Sequence, residues 1–310
     1  MMEATGLAKT FKDVNAVAGI DFYIEEGEIL GFLGPNGAGK STTINMITSL
    51  LKPTSGEILL RGEDIKANPQ KLRTLLGVVP QDIALYPELT GFENLAFFGK
   101  VHGLKGVELK EKIKAVAEII GLHEKLKSKV GTYSGGMKRR LNIGAALLHN
   151  PKLLVMDEPT VGIDPQSRNH ILETVKRLNR QGMTILYTSH YMEEVEFLCD
   201  RIYIMDKGRM IAAGTKEQLK DEVSGSDIVE LAIEEDNVKF INTLREMQEM
   251  KSVQKKAEGL YELAGDKNSG LLRLILSAAE KTGADLISVQ VKKPTLEDVF
   301  LYMTGRALRD

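Results

Sequence analysis

Several things are scarce in this chain, and each scarcity excludes a class of protein. Of its 310 residues one is a cysteine, Cys199, so there is no internal disulfide framework and a reducing cytoplasm is the expected setting. Cys199 sits in the apolar spacing of "EEVEFLCDRI", which reads as a buried structural thiol rather than a reactive one. No cluster of cysteine and histidine has the spacing of a zinc site. No apolar run approaches the roughly 20 residues needed to span a bilayer, and "MMEATGLAKTFKD" lacks the basic-then-apolar order of a leader. Lys+Arg 41 against Asp+Glu 43 leaves a net charge of −2, so bulk attraction to nucleic acid is not indicated. Internal repeats and low-complexity tracts are also missing.

What the chain does have is alternation. "GEILGFLG" is a short apolar run entering a glycine turn, and "STTINMITSLL" reads as a helix stopped by Lys52-Pro53. "GEILLRGEDI" reads as a strand pair turning at Gly62, and "LGVVPQD" as a strand ending at Gln81. Thr90 to Glu93 is a capping-box pattern opening a helical block that includes "VELKEKIKAVAEIIGL". Strands resume in "PKLLVMDEPT", "GMTILYTSH" and "RIYIMDKGRMIAAG", with helices from Pro165 and through "YMEEVEFLCD". Near-continuous apolar strands alternating with helices imply an α/β fold with a mainly parallel sheet covered on both faces. After Ser224-Gly225-Ser226 the pattern becomes β-α-β-β-α-β plus a final helix, the order of a small ferredoxin-like α+β unit. The expected domains are 1–224, with a helical subdomain at about 82–150, and 225–310. Thr295 and Asp298 form a cap for the final helix, its simplest role.

The chemistry lies in four places. "GPNGAGKS", Gly34 to Ser41, fits G-x-x-x-x-G-K-[ST] with a strand before it and a helix after. Its glycines let backbone N–H groups converge on phosphate, Lys40 places a positive charge on the β/γ oxygens, and Ser41 offers a hydroxyl to Mg²⁺. The P-loop NTPase reading therefore takes Gly34, Pro35, Asn36, Gly37, Ala38, Gly39, Lys40, Ser41 and Thr42 as nucleotide-binding. "LLVMDEP" delivers two acids to the C-terminal end of a buried strand, where ligands bind in such sheets. Asp157 suits the Mg²⁺ shell, and Glu158 can polarise a water for in-line attack on the γ-phosphate. "ILYTSH" brings His190 to a third strand terminus, within reach of the same phosphate. Gln81 ends a fourth and can bond Mg²⁺ or the attacking water. A second anion cradle is present as well: in "GTYSGGMKRRLNIG", Ser134, Gly135 and Gly136 stand at the mouth of a helix.

Over about residues 3–220 these motifs, in this order, resemble the ATP-binding subunit of an ABC transporter. The resemblance implies an ABC-type sheet with a helical subdomain and an antiparallel β subdomain. It implies that Phe11 stacks on adenine with Val17 nearby, that Glu158 is the general base, and that His190 contacts the γ-phosphate. It also implies that "TVGID", Thr160 to Asp164, crosses a dimer interface, and that Ser134-Gly135-Gly136 receives the γ-phosphate of ATP held by a second copy or a homologous subunit. Two positions depart from the family pattern. Met137 replaces the usual glutamine of the signature and loses its amide, and Val161 replaces a serine and loses its hydroxyl; Asp164 remains.

"YSGGMKRRL", "PELTGFENL" and "PTLEDVFLYMTG" narrow the resemblance to the subfamily that drives ABC-2-type export permeases. It implies an ATPase motor at the cytoplasmic face of the membrane, exporting a drug, antibiotic or lipid-like compound through a separate permease, with ATP and Mg²⁺ as cofactors. In a chain with 5% aromatics, Tyr86, Phe92, Phe97 and Phe98 fall close together. Most of them are expected to pack the helical subdomain, and Tyr86 is the candidate anchor for a permease helix. Gln81, at the hinge of this segment, is placed to report nucleotide state. Lys138-Arg139-Arg140 is expected to form a solvated helix face. Two other readings stay open: an ABC-type ATPase acting on ribosomes or nucleic acid, and a regulatory ATPase outside transport. The single ATPase module and the net charge oppose the first; Glu158 and His190 oppose a regulator without turnover.

Overall fold

Strands β1 (Met2–Phe11) and β2 (Val14–Ile24) pair antiparallel, with Lys12 turning between them at φ 48°. Strand β3 (Ile29–Leu33) is buried at every position and leads through the glycine loop into helix α1 (Lys40–Ile47). The sequence predicts a longer helix here. Ser49 adopts a left-handed φ of 58° and the Leu51 amide reaches back to the Asn45 carbonyl at 2.8 Å, which closes the helix early. Strand β4 (Ser55–Leu60) turns through Arg61 and Gly62, both at positive φ, into β5 (Glu63–Asp64), the backbone a tight hairpin requires. Then follow α2 (Pro69–Leu75), β6 (Leu76–Val79), α3 (Gly91–Val101), α4 (Gly106–Ile119), α5 (Gly135–Leu147), β7 (Leu153–Asp157), α6 (Pro165–Arg180), β8 (Thr184–Ser189), α7 (Met192–Leu198), β9 (Arg201–Asp206) and β10 (Arg209–Thr215). This computed structural model describes residues 1–67, 69–223, 227–266, 269–292 and 294–304.

The strands form a mixed sheet in the order β10-β9-β3-β8-β7-β6, parallel except for β10, and an antiparallel sheet in the order β2-β1-β4-β5. Their apolar faces share one core. Leu7, Ile20, Phe22 and Ile58 come from the antiparallel sheet, and Leu30, Phe32, Val155 and Leu186 from the parallel one. Each such side chain, fully buried, contributes about 1.5–3 kcal/mol. Phe22 and Phe32 meet edge to face at 5.0 Å between ring centroids, the geometry aromatic quadrupoles favour. Cys199 is buried as expected, and burial pushes its thiol well above the usual cysteine range. Its Sγ lies against Gly31, where an added Cβ would come within 2.7 Å. Helices α3 to α5 occupy the stretch between β6 and β7, the expected helical subdomain. Thr90 caps α3 with the complete reciprocal box to Glu93, worth about 1 kcal/mol.

A second compact unit begins at Glu217. Helix α8 (Lys216–Val223) therefore belongs almost wholly to it, whereas the sequence reading ends the first domain at 224. The expected linker Ser224-Gly225-Ser226 lies outside the described residues. Strand β11 (Asp227–Ile233), α9 (Val238–Arg245), β12 (Met250–Ala257), β13 (Leu260–Gly265), α10 (Leu271–Thr282) and β14 (Leu286–Lys292) follow, and the sheet order β12-β13-β11-β14 is antiparallel throughout. That is the ferredoxin-like arrangement, with Leu231, Phe240, Leu263 and Ile275 in its own core. Helix α11 (Leu296–Thr304) starts at the reciprocal Thr295–Asp298 cap, at 2.7 Å and 3.2 Å.

Candidate functional site

Four adjacent parallel strands, β3, β8, β7 and β6, end at one edge of the sheet. Beyond their C-termini stand the glycine loop, His190, Asp157 with Glu158, and Gln81. Asn36 to Thr42 of the loop, His190, Glu158 and Gln81 line an open cleft of about 610 Å³, together with Phe11, Ala16 and Val161, and Asp157 lies outside that lining. Phe11 is 45% exposed, so its ring is free to stack, and Lys9 lies 5.1 Å from the ring centroid. Val17 does not line the cleft. It is buried beneath Gly39, because alternation along β2 turns it inward, and its neighbour Ala16 faces the cleft instead. At Gly39, φ is 108° and a Cβ would come within 2.6 Å of the Ala16 carbonyl, so the position requires glycine.

The two acids point different ways. Asp157 accepts from Thr188 Oγ1 at 2.8 Å; burial raises its carboxyl above the usual range, and the Thr188 and Ser41 hydroxyls partly offset that. Glu158 turns away at a left-handed φ of 43°, a conformation that costs about 1–3 kcal/mol in a residue with a side chain. Its amide is held by Thr188 Oγ1 at 3.0 Å. The turn aims its carboxylate at Lys40 Nζ (2.9 Å) and His190 Nδ1 (3.1 Å). Lys40 also donates to the Gly34 and Pro35 carbonyls at 2.7 Å and 3.1 Å. One carboxylate thus meets the hydroxyl of the loop, while the other meets its ammonium and the imidazole.

The second cradle lies outside this lining. Ser134 caps α5, its Oγ accepting from the Met137 amide at 3.2 Å; the hydroxyl proton stays available to an anion. Gly136 packs on Ser167, where a Cβ would come within 2.1 Å of Oγ. Asp164 caps α6 through the Ser167 amide at 2.9 Å, and that bond holds its carboxyl below the usual range. The heads of α5 and α6, carrying Gly136 and Asp164, are therefore neighbours. Tyr133 is buried against Gly91 and donates to the Lys125 carbonyl at 2.5 Å.

The basic triplet is not a solvated face. Arg139 is 4% exposed and donates to the Pro80 and Gln81 carbonyls, and Arg140 donates to the Ile120 carbonyl at 3.1 Å. Helix α5 packs on β6, α4 and α6, so Arg139 falls inside and Arg140 is half-buried. Sequence reasoning also missed Glu194, which is fully buried and accepts from Thr160, Tyr187, Ser189 and Arg168. Only its place four residues beyond His190 could have pointed to it.

The fold and the cleft define a P-loop nucleoside-triphosphatase whose phosphate loop faces a carboxylate–histidine pair. Residues 17–161 match the ABC transporter family, and residues 127–196 a family described as an AAA domain, putative AbiEii toxin of a type IV toxin–antitoxin system. The linearmycin resistance ATP-binding protein LnrL of Bacillus subtilis (strain 168) is 50% identical over the full length of both chains. A Nod factor export ATP-binding protein I of Ralstonia nicotianae is 37% identical over 100% of this chain and 95% of its own. A solved dimer of an ATP-binding cassette in a post-hydrolysis state, bound to ADP and Pi, aligns with a TM-score of 0.64 at 27% identity, covering 69% of this chain and 98% of that one. The chain belongs to the ABC transporter family, as an ATP-binding subunit, and is an ATPase.

Proposed function

We propose that the chain is the motor of an exporter: two ATPase subunits close on two ATP molecules, and their cycle drives cargo outward through an ABC-2-type permease at the cytoplasmic face of the membrane. Among the described residues no helix is long and apolar enough to cross a membrane, and the proposed path for cargo is a separate permease. The observation that carries this reading is the divided phosphate site. Lys40, Glu158, His190 and Gln81 share one cleft, while Ser134, Gly135 and Gly136 head a helix outside its lining. Each site is then completed by a second subunit, whose Ser134-Gly135-Gly136 and Asp164 reach the γ-phosphate side.

In this scheme Glu158 is the general base, His190 orients it and contacts the γ-phosphate, and Phe11 stacks on the adenine. The donor set fits Mg²⁺: the Ser41 hydroxyl and Gln81 line the cleft, and the Ser41 hydroxyl stabilises the charge of the neighbouring Asp157 carboxylate. Hard oxygen ligands supplemented by phosphate and water are what that ion takes. When bound, it supplies charge neutralisation at the β/γ oxygens. Among the described residues no cluster of three or more His, Cys, Asp or Glu side chains suits a metal, in keeping with a site that takes its remaining ligands from the nucleotide.

The permease surface is assigned to Tyr86 and its neighbours. Tyr86 is 47% exposed and its ring meets Phe97 at 5.0 Å. Its backbone is gripped at both the amide and the carbonyl by buried Asn94. Beside this cluster an apolar cavity of about 300 Å³ opens between Leu72, Pro80, Ala84, Phe98 and Ala145. The proposed cargo is a drug, antibiotic or lipid-like compound, the class to which the resistance function of the half-identical relative points. Affinity purification from detergent-solubilised membranes tests the assignment, with loss of Tyr86 expected to lower recovery of a permease. Recovery of ribosomes or nucleic acid in place of a membrane protein would overturn it. Deleting the subunit should raise susceptibility to the exported compound.

A further inference from the structure

Arg139 joins two regions that the scheme above leaves unconnected. Its Nη1 donates to the Pro80 carbonyl at 2.9 Å and its Nη2 to the Gln81 carbonyl at 2.6 Å. Pro80 lines the apolar cavity and Gln81 lines the nucleotide cleft, so one guanidinium holds consecutive residues that face different sites. The side chain is 4% exposed, its Nε is buried without a partner, and Asp82 acts on it only through space. A buried guanidinium satisfied only by carbonyls stabilises a fold less well than an apolar side chain of the same volume. Packing alone does not account for it. Arg139 is also one helical turn from Ser134-Gly135-Gly136, on the same helix α5.

We propose that Arg139 is a positioning residue that makes helix α5 move with the Pro80-Gln81 loop, so that engagement of Gln81 in a chain's own cleft aims that chain's Ser134-Gly135-Gly136 at the opposite subunit. The inference rests on the divided-site reading. A planar fork with two donors pins two successive carbonyls and so fixes the direction of the loop backbone as well as its distance. A helix is stiff over one turn, about 5 Å, so a shift at Arg139 reaches the phosphate cradle undiminished. A lysine at this position carries one point charge without the fork and cannot hold both carbonyls in register.

The test uses a reporter on α5 that senses the loop within a single chain. Cys199 is buried, so a fluorophore goes selectively to a thiol introduced by Lys138→Cys. A Ser134→Arg background, with its monomeric state checked by light scattering, removes any signal from dimer closure. Mg-ATP is expected to shift the emission of this chain. With Arg139→Met added, the Kd for ATP should stay within about twofold while the shift is lost. In chains without Ser134→Arg and the label, Arg139→Met should lower turnover about tenfold and bring the Hill coefficient for ATP towards one. Arg139→Lys, which keeps the charge if the Met variant fails to fold, should retain ATP binding and fail to restore the shift. A full emission shift with either variant would overturn the proposal. The divided-site reading fails separately, if Ser134→Arg monomers hydrolyse ATP at the rate of the unaltered chain.

Discussion

Lys40 Nζ lies 2.9 Å from Glu158 Oε1, with the two side chains 4% and 5% exposed. Together with the Gly34 and Pro35 carbonyls, this pair occupies all three ammonium donors. An incoming phosphate must therefore take Lys40 from the residue assigned as general base. Glu158→Gln removes the competing charge while keeping the shape. It should tighten Mg-ATP binding about tenfold or more, the lower end expected for a close charge pair, and reduce turnover about 10²- to 10⁴-fold. Fluorescent-nucleotide titration and phosphate release measure the two effects. Weaker ATP binding in the Gln variant would contradict this account of the pair.

The divided site makes a complementation prediction. Ser134→Arg should cost about 1 kcal/mol through loss of the α5 cap, leave ATP binding nearly unchanged, and abolish dimer-dependent hydrolysis. Lys40→Ala should abolish ATP hydrolysis from the other side. Mixed in equal amounts, the two dead chains form dimers in which one composite site is intact, and roughly a quarter of the activity should return if the sites are independent. No recovery on mixing, with mixed dimers verified by differential tags, would argue against sites completed in trans.

His102 and His149 stack face to face, with centroids 3.8 Å apart and planes 5° from parallel. The Leu76 carbonyl, 2.9 Å from His149 Nε2, can only accept, so that nitrogen carries the proton. Burial holds both rings below the ordinary histidine value of 6.5, with the facing ring adding to this for His102 and Lys112 for His149, against the opposing effect of the Leu76 bond. His170 is lowered too, by burial and then by Arg140. Where the folded value is depressed, the unfolded chain binds more protons below pH 6.5, and stability falls as the pH drops through that value towards the folded ones. The Tm should decline between about pH 7.5 and 5.5. His149→Phe keeps a stacking ring that cannot titrate and should flatten this slope, even if it lowers the Tm at neutral pH.

The cleft was legible because parallel strands announce themselves: Leu153 to Asp157 and Thr184 to Ser189 are uninterrupted buried runs, and whatever follows them must gather at one sheet edge. Thr90 and Thr295 were legible as caps for a local reason, since each bonds an amide three residues away. What the sequence hid depends on packing between distant segments. Arg139 reads as part of a charged face until β6 lies against α5. Val17 and Ala16 differ only in which side of β2 each occupies. Thr188 looks like an ordinary strand residue, yet its hydroxyl separates Asp157 from Glu158, donating to the carboxylate of one and accepting from the amide of the other.

Glu194 shows how that hidden layer can be tested. Its carboxylate accepts from Thr160 Oγ1 (2.7 and 2.8 Å), Tyr187 Oη (2.8 Å), Ser189 Oγ (2.9 Å) and Arg168 Nε (2.7 Å). Ser189 Oγ is itself committed, accepting from the Tyr191 amide at 2.9 Å. Thr160 lies two residues beyond Glu158 and Ser189 immediately precedes His190, so one buried acceptor anchors the flanks of both Glu158 and His190. Glu194→Gln places an amide N–H against donors that cannot all turn away. It should cost about 1–3 kcal/mol of stability, the penalty for a buried group left unpaired. It should also lower kcat while leaving KM for ATP little changed, because the phosphate loop and Phe11 are untouched. Glu194→Ala leaves every donor unanswered and should be more destabilising still. Thermal unfolding and steady-state ATPase measurements on both variants decide the matter: a Gln variant as stable and as active as the original would show that the four donors do not need a carboxylate.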